Sequence, residues 1–223
     1  YGLDQCLDLA RDAVRAGDDV PAPPGLHWRV GEGMAASMIA TIPPRGHLAE
    51  AAVRLAPDGR YTVRVGTAEF GNGTGTVHTQ LVATVLGTDP DRVRLWQSDT
   101  DAVSHDTGAF GSAGSVVAGK AVYAAALALR DLILDRVAGE LGPLGVQAGE
   151  RFVPLTEIAG AEGLIAQATH HGTPRSMAFN VHAVRVAVHL GTGEIRFLRS
   201  VHAADAGTVL NPEQLRGQIE GGV

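Results

Sequence analysis

The stretch that decides the fold runs Glu69-Phe70-Gly71-Asn72-Gly73-Thr74-Gly75-Thr76. Residues 61–67, just before it, alternate apolar and polar side chains, which indicates a strand. Residues 77–85, just after it, place apolar side chains at helical spacing. The sequence therefore predicts a strand, a glycine-rich loop and a helix in direct succession.

A second glycine-rich stretch of the same design runs Gly108-Ala109-Phe110-Gly111-Ser112-Ala113-Gly114-Ser115. It opens a long helix, which we expect to end near Gly139 or Gly142. The apolar stripe of this helix consists of Val122, Ala126, Leu129, Ile133 and Val137. Such a stripe indicates that one face of the helix is buried in a core.

The remaining patterns predict one more helix, a linker and further strands. We expect a helix at 4–16, a proline-rich linker at 18–25, one or two strands at 27–42, a hairpin of 51–55 with 61–67, strands at 92–97 and 164–170, and a second hairpin of 184–190 with 195–201. The rest of residues 143–178 is weakly patterned. Hairpins separated by helices predict an α+β fold, with mixed and antiparallel hairpins and packed helices, rather than a doubly wound parallel sheet.

Composition excludes several classes of function. The chain has 223 residues, 45% of them hydrophobic, which is enough for a buried core. Its net charge is -6 and it has no block of Lys and Arg, so we expect no nucleic-acid partner. A single cysteine, Cys6, excludes an internal disulfide and a Cys-rich zinc or iron–sulfur site. No apolar run reaches membrane-spanning length, and we expect a cytoplasmic protein.

Both glycine loops have the chemistry of an anion site. A helix start exposes unpaired backbone N–H groups, and the helix dipole favours negative charge there. Glycines let a ligand approach the backbone, and Thr74, Thr76, Ser112 and Ser115 add hydroxyl donors. Two such loops suit a ligand with more than one phosphate. The alternative is that the glycines form turns and the Ser and Thr residues are helix N-caps.

Other candidate sites are weaker. Residues 114–120 match the G-x-x-x-x-G-K part of a nucleotide P-loop, but Ala121 stands where the magnesium-binding Ser or Thr belongs. The nine histidines are dispersed, so we expect structural or surface roles and no metal site. Asp99 and Asp101 either share a face at a strand end or are turn residues. No G-x-S-x-G elbow supports a serine nucleophile.

The order of the motifs resembles the large subunit of the molybdenum hydroxylases, the family of xanthine dehydrogenase, aldehyde oxidase and carbon monoxide dehydrogenase. Residues 69–76 stand where that family has E-x-G-Q-G-x-x-T, and residues 108–115 resemble its G-x-x-G-S-x-x-S loop. Residues 205–222 fit its D-x-G-x-x-x-N-P-x-x-x-x-G-Q-x-x-G-G pattern throughout. We therefore expect an N-terminal helix and linker at 1–24. A molybdopterin-binding domain fragment, truncated at its C-terminus, would follow at 25–223, as an interior piece of a longer polypeptide.

The resemblance implies a molybdenum–molybdopterin cofactor, in the cytosine dinucleotide form common in bacteria. The reaction it implies is hydroxylation of an aldehyde or an N-heterocycle with water as the oxygen source. The implied cofactor-binding residues are Gly71, Asn72, Gly73, Thr76, Gly111, Ser112, Ala113, Ser115 and Gln218. Asn72 stands where the family has a Gln that donates to the molybdenum's oxo ligand, and it is one methylene shorter. Restoring Gln at this position is expected to raise cofactor retention or turnover.

The resemblance also implies what this stretch of chain lacks. The family's catalytic Glu would lie past Val223, and we expect no catalytic residue and no protein ligand to the metal here. Iron–sulfur clusters and FAD would belong to other domains or subunits, and the rest of the large subunit would complete the pocket for a small-molecule substrate. The alternative is a cofactor-free structural or assembly module of the same family.

Overall fold

The computed structural model describes residues 2–16, 20–41, 46–172 and 176–223. The helices are α1 (Leu3–Arg15), α2 (Thr74–Val85), α3 (Gly119–Arg136), α4 (Leu155–Ala159) and α5 (Pro212–Gly221). The strands are β1 (Trp28–Thr41), β2 (Leu48–Leu55), β3 (Tyr61–Val65), β4 (Val93–Gln97), β5 (Glu140–Leu141), β6 (Gly145–Ala148), β7 (Arg151–Pro154), β8 (Leu164–His171), β9 (Ser176–His189) and β10 (Ile195–Asp205). Helices and antiparallel strands together confirm the α+β class.

Contacts divide the chain into two compact units. The small unit comprises Tyr1–Ala40 and Met177–Val223, and the large unit comprises Thr41–Ser176. Residues 20–27 carry no helix or strand, whereas residues 18 and 19 of the expected linker lie outside the described residues. The domain boundary after residue 24 stays a prediction.

The large unit is built on a four-stranded sheet of order β4-β3-β2-β8. The predicted hairpin of β2 and β3 is confirmed, and β8 pairs antiparallel to the other edge of β2. A turn closes the hairpin, where the Arg60 N–H donates to Asp58 Oδ1 over 3.0 Å and Gly59 has a φ of 77°. β4 runs parallel to β3, so the chain must cross over between them, and α2 makes that crossover.

The core of the large unit lies between this sheet and α3. Tyr61, Val63 and Val65 of β3 are fully buried, as their alternation with polar residues predicted. Four of the five residues in the predicted stripe of α3 are confirmed, because Val122, Ala126, Leu129 and Ile133 are all buried at 0% exposure. The fifth, Val137, follows the last helical residue with an extended backbone and is partly buried. Full burial of one leucine side chain, such as that of Leu129, stabilises the folded state by about 1.5–3 kcal/mol. This packing fixes the start of α3, and with it the second glycine loop, against the sheet.

The large unit has a second sheet, of order β5-β6-β7, which the sequence patterns did not predict. This sheet also explains why α3 is shorter than expected. α3 ends at Arg136 rather than near Gly139 or Gly142. Glu140 and Leu141 pair with β6, so the backbone must already be extended there. A Cβ on Gly139 would lie 2.3 Å from the Gln147 carbonyl oxygen, which shows how closely the two segments pass.

The small unit contains a three-stranded sheet of order β1-β9-β10. The expected strand at 27–42 is one strand, β1, and its last expected residue, Ile42, lies outside the described residues. The second predicted hairpin is confirmed as the antiparallel pair β9 and β10. The predicted first helix is confirmed as α1, whose buried face packs on the sheet through a cluster of Cys6, Ala10, Val14, Val181 and Ala183.

α5 follows the sheet of the small unit and begins with a regular cap. Asn211 Oδ1 accepts a hydrogen bond from the Gln214 N–H over 3.0 Å, and Pro212 occupies the first helical turn. None of its residues is buried within the described chain. Among the described residues, no helix combines the length and apolar character needed to cross a membrane.

Candidate functional site

The first glycine loop (residues 69–76) is closed by the carboxylate of Glu69. Glu69 Oε1 accepts from the Gly71 N–H over 2.7 Å and the Gly73 N–H over 3.0 Å, and Oε2 accepts from the Gly75 N–H over 2.9 Å. Gly71 and Gly73 have φ angles of 96° and 79°, which only glycine adopts without strain. The loop therefore wraps its own backbone donors around one internal anion.

This arrangement corrects one expectation from the sequence. The amides of Gly71, Gly73 and Gly75 at the start of α2 are not unpaired, because Glu69 takes the place that a ligand's phosphate would have occupied. Partial desolvation raises the pKa of the Glu69 carboxyl, but the hydrogen bonds from Gly75, Gly73 and Gly71 outweigh it and lower that pKa below 4.5. At neutral pH the loop thus holds a fixed negative charge.

Asn72 and Thr74 are bound to each other inside the first loop. Asn72 Oδ1 accepts from Thr74 Oγ1 over 3.0 Å and from the Thr74 N–H over 3.3 Å. Thr74 is only 3% exposed, whereas Asn72 is partly exposed. The side-chain amide of Asn72 is therefore turned back onto α2 through its oxygen.

The second glycine loop (residues 108–115) meets its helices without such a carboxylate. A 3-10 turn at Phe110–Ser112 and a π-helical turn at Gly114–Ala118 lead into α3. The residues just before these segments and α3 are Ala109, Ala113 and Ala118, and none makes a side-chain capping bond. Ser112 has a φ of 60°, a strained conformation for a residue other than glycine. Strain of this kind is typical of functional loops.

Asp106 anchors the beginning of the second loop. Its Oδ1 accepts from the Gly108 N–H over 2.8 Å, and its Oδ2 accepts from Thr67 Oγ1 over 3.3 Å. Gly66 must lack a side chain, since its Cβ would lie 2.4 Å from that of Asp106. The sequence patterns did not point to Asp106. The Asp-x-Gly spacing is the signal that could have found it, because it is typical of a turn in which the carboxylate accepts from the residue two positions on.

His47 lies beneath the second loop and was also missed. It is 3% exposed, its ring lies 4.9 Å from that of Phe110, and neither ring nitrogen has a partner among the described residues. A Cβ on Gly111 would lie 3.2 Å from His47 Nε2. Gly111 is therefore needed for close packing on His47 as well as for its φ of 64°. A lone histidine before a strand carries no sequence signal for such a role.

The fold brings the two loops into contact. A Cβ on Gly114 would lie 2.9 Å from Thr74 Cγ2, so the second loop packs directly on the first. Seven of the predicted cofactor-binding residues lie in these two loops and are exposed or partly exposed: Gly71, Asn72, Gly73, Thr76, Gly111, Ser112 and Ser115. The eighth, Ala113, is only 3% exposed and packs in the core of the large unit, so its side chain is not open to a ligand. The ninth, Gln218, lies on α5 of the small unit, and its part in the same site stays a prediction.

Two titratable groups near the loops, His78 and Asp99, have structural roles. His78 on α2 is fully buried, and burial lowers its pKa to about 4 against the opposing effect of Glu69, so it is neutral at pH 7. Asp99 is a turn residue: its carboxylate accepts from the Asp101 N–H and from Trp96 Nε1. Within the described ranges, no three His, Cys, Asp or Glu residues are placed to hold a metal ion. What the loops offer a ligand is the hydroxyl groups of Thr76, Ser112 and Ser115, which are exposed or partly exposed.

Comparisons with known proteins give this arrangement a context. Residues 9–223 match the family model of the molybdopterin cofactor-binding domain. The chain is 32% identical over 236 residues to the probable hypoxanthine oxidase XdhD of Escherichia coli (strain K12), covering 98% of the chain and 24% of that protein. It is 31% identical over 193 residues to the 6-hydroxypseudooxynicotine dehydrogenase complex subunit gamma of Paenarthrobacter nicotinovorans, covering 76% of the chain and 24% of the subunit.

A solved structure shares the fold. The chain superposes on quinoline 2-oxidoreductase from Pseudomonas putida 86 with a TM-score of 0.76 at 23% identity, covering 98% of this chain and 31% of that one. The chain therefore spans about a quarter to a third of the length of the proteins that it resembles.

Proposed function

The chain belongs to the molybdopterin-binding part of the molybdenum hydroxylase family, and on that premise we propose that its two glycine loops form part of the cofactor cleft of a molybdenum-dependent oxidoreductase. The proposed reaction is hydroxylation of an aldehyde or an N-heterocycle, with water as the oxygen source. The proposed cofactor is molybdopterin in its cytosine dinucleotide form. The single observation that carries this proposal is the contact of Gly114 with Thr74, which joins the two loops into one surface.

The second loop fits the anionic part of such a cofactor. It begins the long helical run from Gly114 to Arg136, whose dipole favours negative charge at this end. Ser112 is exposed and Ser115 is partly exposed, and each carries a hydroxyl group. These donors face no competing carboxylate of the kind that Glu69 supplies in the first loop. We assign the phosphate contacts to the second loop for that reason.

The first loop fits a different task. Its backbone donors are already satisfied by Glu69, so it offers the cofactor one rigid edge and the side chain of Asn72. A loop fixed before binding loses little conformational freedom when the ligand arrives. When bound, the cofactor supplies the redox chemistry of the hydroxylation, and this chain's residues bind and orient it. Electrons would pass to iron–sulfur and flavin domains or subunits.

The test is molybdenum and pterin analysis of the purified protein that contains this chain. We expect stoichiometric molybdenum and pterin in the unchanged protein. In the double variant Ser112→Ala with Ser115→Ala, both should fall by about fivefold or more, the effect of losing one or more neutral hydrogen bonds. Ser104→Ala is the matched control, because that exposed hydroxyl donates to Glu50, outside both loops.

A cofactor-free structural module is the second candidate function. It is favoured by the first loop, whose backbone donors are satisfied without any ligand. A folded protein that lacks both molybdenum and pterin would support this candidate and contradict the proposed cofactor site.

A further inference from the structure

We propose that Thr74 is a positioning residue that fixes which end of the Asn72 amide faces the cofactor. By binding Asn72 Oδ1, Thr74 keeps the oxygen turned into the loop and leaves the Nδ2 hydrogens as outward donors. This inference rests on the proposed function and deepens it, since it assigns Asn72 the part of a donor and Thr74 the part of its support.

The orientation of the amide follows from the chemistry of its partner. A backbone N–H can only donate, so the Asn72 atom 3.3 Å from the Thr74 nitrogen must be the amide oxygen. The Thr74 hydroxyl has a single proton and three acceptors within reach. Asn72 Oδ1 lies 3.0 Å away, whereas the Ala68 carbonyl and Glu69 Oε2 are each 3.4 Å away. The shortest of the three is the bond to Asn72.

The other end of the amide is available to a ligand. In the described part of the chain, no residue accepts a hydrogen bond from Asn72 Nδ2. This atom is also not a buried polar atom that lacks a partner, so it is open to solvent. Thr74 itself is 3% exposed, so its hydroxyl serves the loop and cannot be reached by a ligand. Thr74 thus holds the amide oxygen inside the loop, and Asn72 presents its Nδ2 donor at the surface.

This support explains how Asn can stand where the family has Gln. Asn has one rotatable bond fewer, and its oxygen reaches the first turn of α2 to form a local cap. An amide already held in one orientation loses less conformational freedom on binding than a free side chain does.

The first experiment tests, in protein without cofactor, whether Thr74 holds the side-chain amide of Asn72 in place. Asn72-Gly73 is a sequence in which the Gly73 nitrogen attacks the Asn72 side-chain carbonyl, expels ammonia and forms a cyclic imide that water opens to Asp or isoaspartate. A held amide resists this attack. Deamidation of Asn72 is followed by peptide mass spectrometry in mildly alkaline buffer, in the unchanged protein and in the variants Thr74→Val and Thr74→Ser.

We expect deamidation to be about fivefold faster in Thr74→Val, matching the loss of one neutral hydrogen bond, and near the original rate in Thr74→Ser. Valine keeps the shape of threonine and serine keeps its hydroxyl, so shape and hydrogen bonding are tested separately. Equal rates in all three proteins would overturn the inference that Thr74 holds Asn72.

The second experiment measures the rate at which molybdenum is lost during dialysis of the loaded protein. Loss should be about fivefold faster in Thr74→Val than in Thr74→Ser. It should be faster still in Asn72→Asp, which keeps an acceptor for Thr74 but has no N–H donor. Unchanged retention in Thr74→Val or Asn72→Asp would overturn the inference while the proposed function stands. An unchanged protein without molybdenum would contradict the proposed function, and the deamidation rates would still decide whether Thr74 holds Asn72.

Discussion

The two glycine loops of the large unit share a design but satisfy their backbone groups in opposite ways. The first loop turns three amides onto the carboxylate of Glu69. The second loop has alanine before each of its helical segments and carries a strained serine, Ser112. A loop whose amides are held by its own anion is stable before any ligand binds. Of the amides in the second loop, Asp106 accepts only from the first, that of Gly108, and the hydroxyl groups of Ser112 and Ser115 remain as donors for a ligand. Similar glycine-rich sequences can therefore serve as scaffold or as binding surface.

The largest expected effect comes from removing the internal anion. Glu69→Ala leaves three amides without their acceptor, each bond contributing about 1 kcal/mol, and exposure to water reduces the total to about 2 kcal/mol of unfolding free energy. Urea denaturation measures the loss. Glu162→Ala is the matched control, an exposed glutamate of the same unit, and should change stability by less than about 0.5 kcal/mol. Equal effects of the two variants would contradict the role of Glu69.

The next effect comes from separating the two loops. Gly114→Ala puts a methyl group 2.9 Å from Thr74 Cγ2, so one loop must shift, at a cost of about 1–2 kcal/mol. Thermal or urea unfolding of the same protein measures it. Gly142→Ala serves as the control, because its added methyl group meets nothing nearer than 3.8 Å. A Gly114→Ala protein as stable as that control would show that the loops do not depend on each other.

A smaller effect is the pH dependence of the first loop. The folded pKa of Glu69 lies below 4.5, so its contribution is present above pH 4.5 and is lost as the pH falls through the folded pKa. Glu69→Gln should lower the unfolding free energy by about 1 kcal/mol at pH 7. The gap between the two proteins should close below pH 4.5. A gap that stays constant with pH would mean that the Glu69 charge does not stabilise the loop.

The smallest effect on stability is expected in the second loop. Ser112→Gly relieves the positive φ, and the change in unfolding free energy should stay within about 0.5 kcal/mol. Molybdenum retention should fall, because the hydroxyl is gone. Ser98→Gly is the control, since Ser98 has a similar φ of 58° but its hydroxyl donates to the Thr67 carbonyl. A fall in retention for both variants alike would point to backbone flexibility rather than to the Ser112 hydroxyl.

Periodic segments of the fold could be predicted from the sequence, and aperiodic ones could not. The stripe of α3 and the alternation in β3 repeat over several turns or residues, so each carries its own signal. β5 has two residues and β6 and β7 have four each, too few for a period to appear. The sequence predicted the end of α3 several residues too late for a related reason. The pairing of Glu140 and Leu141 with β6 ends the helix earlier than the local sequence predicts.

By itself, the sequence determined the α+β class, the three periodic helices α1, α2 and α3, the two hairpins, the two glycine loops and the family. These rest on local patterns, in which residue spacing and backbone preference act over a few positions. Only the tertiary structure decided that Glu69 satisfies the first loop, that Gly114 packs on Thr74, and that His47 lies under Gly111. Hydrogen bonds and contacts are made or lost when interatomic distances change by about a few tenths of an ångström. Such distances are set once the sheet and α3 have packed, because packing fixes where each loop begins.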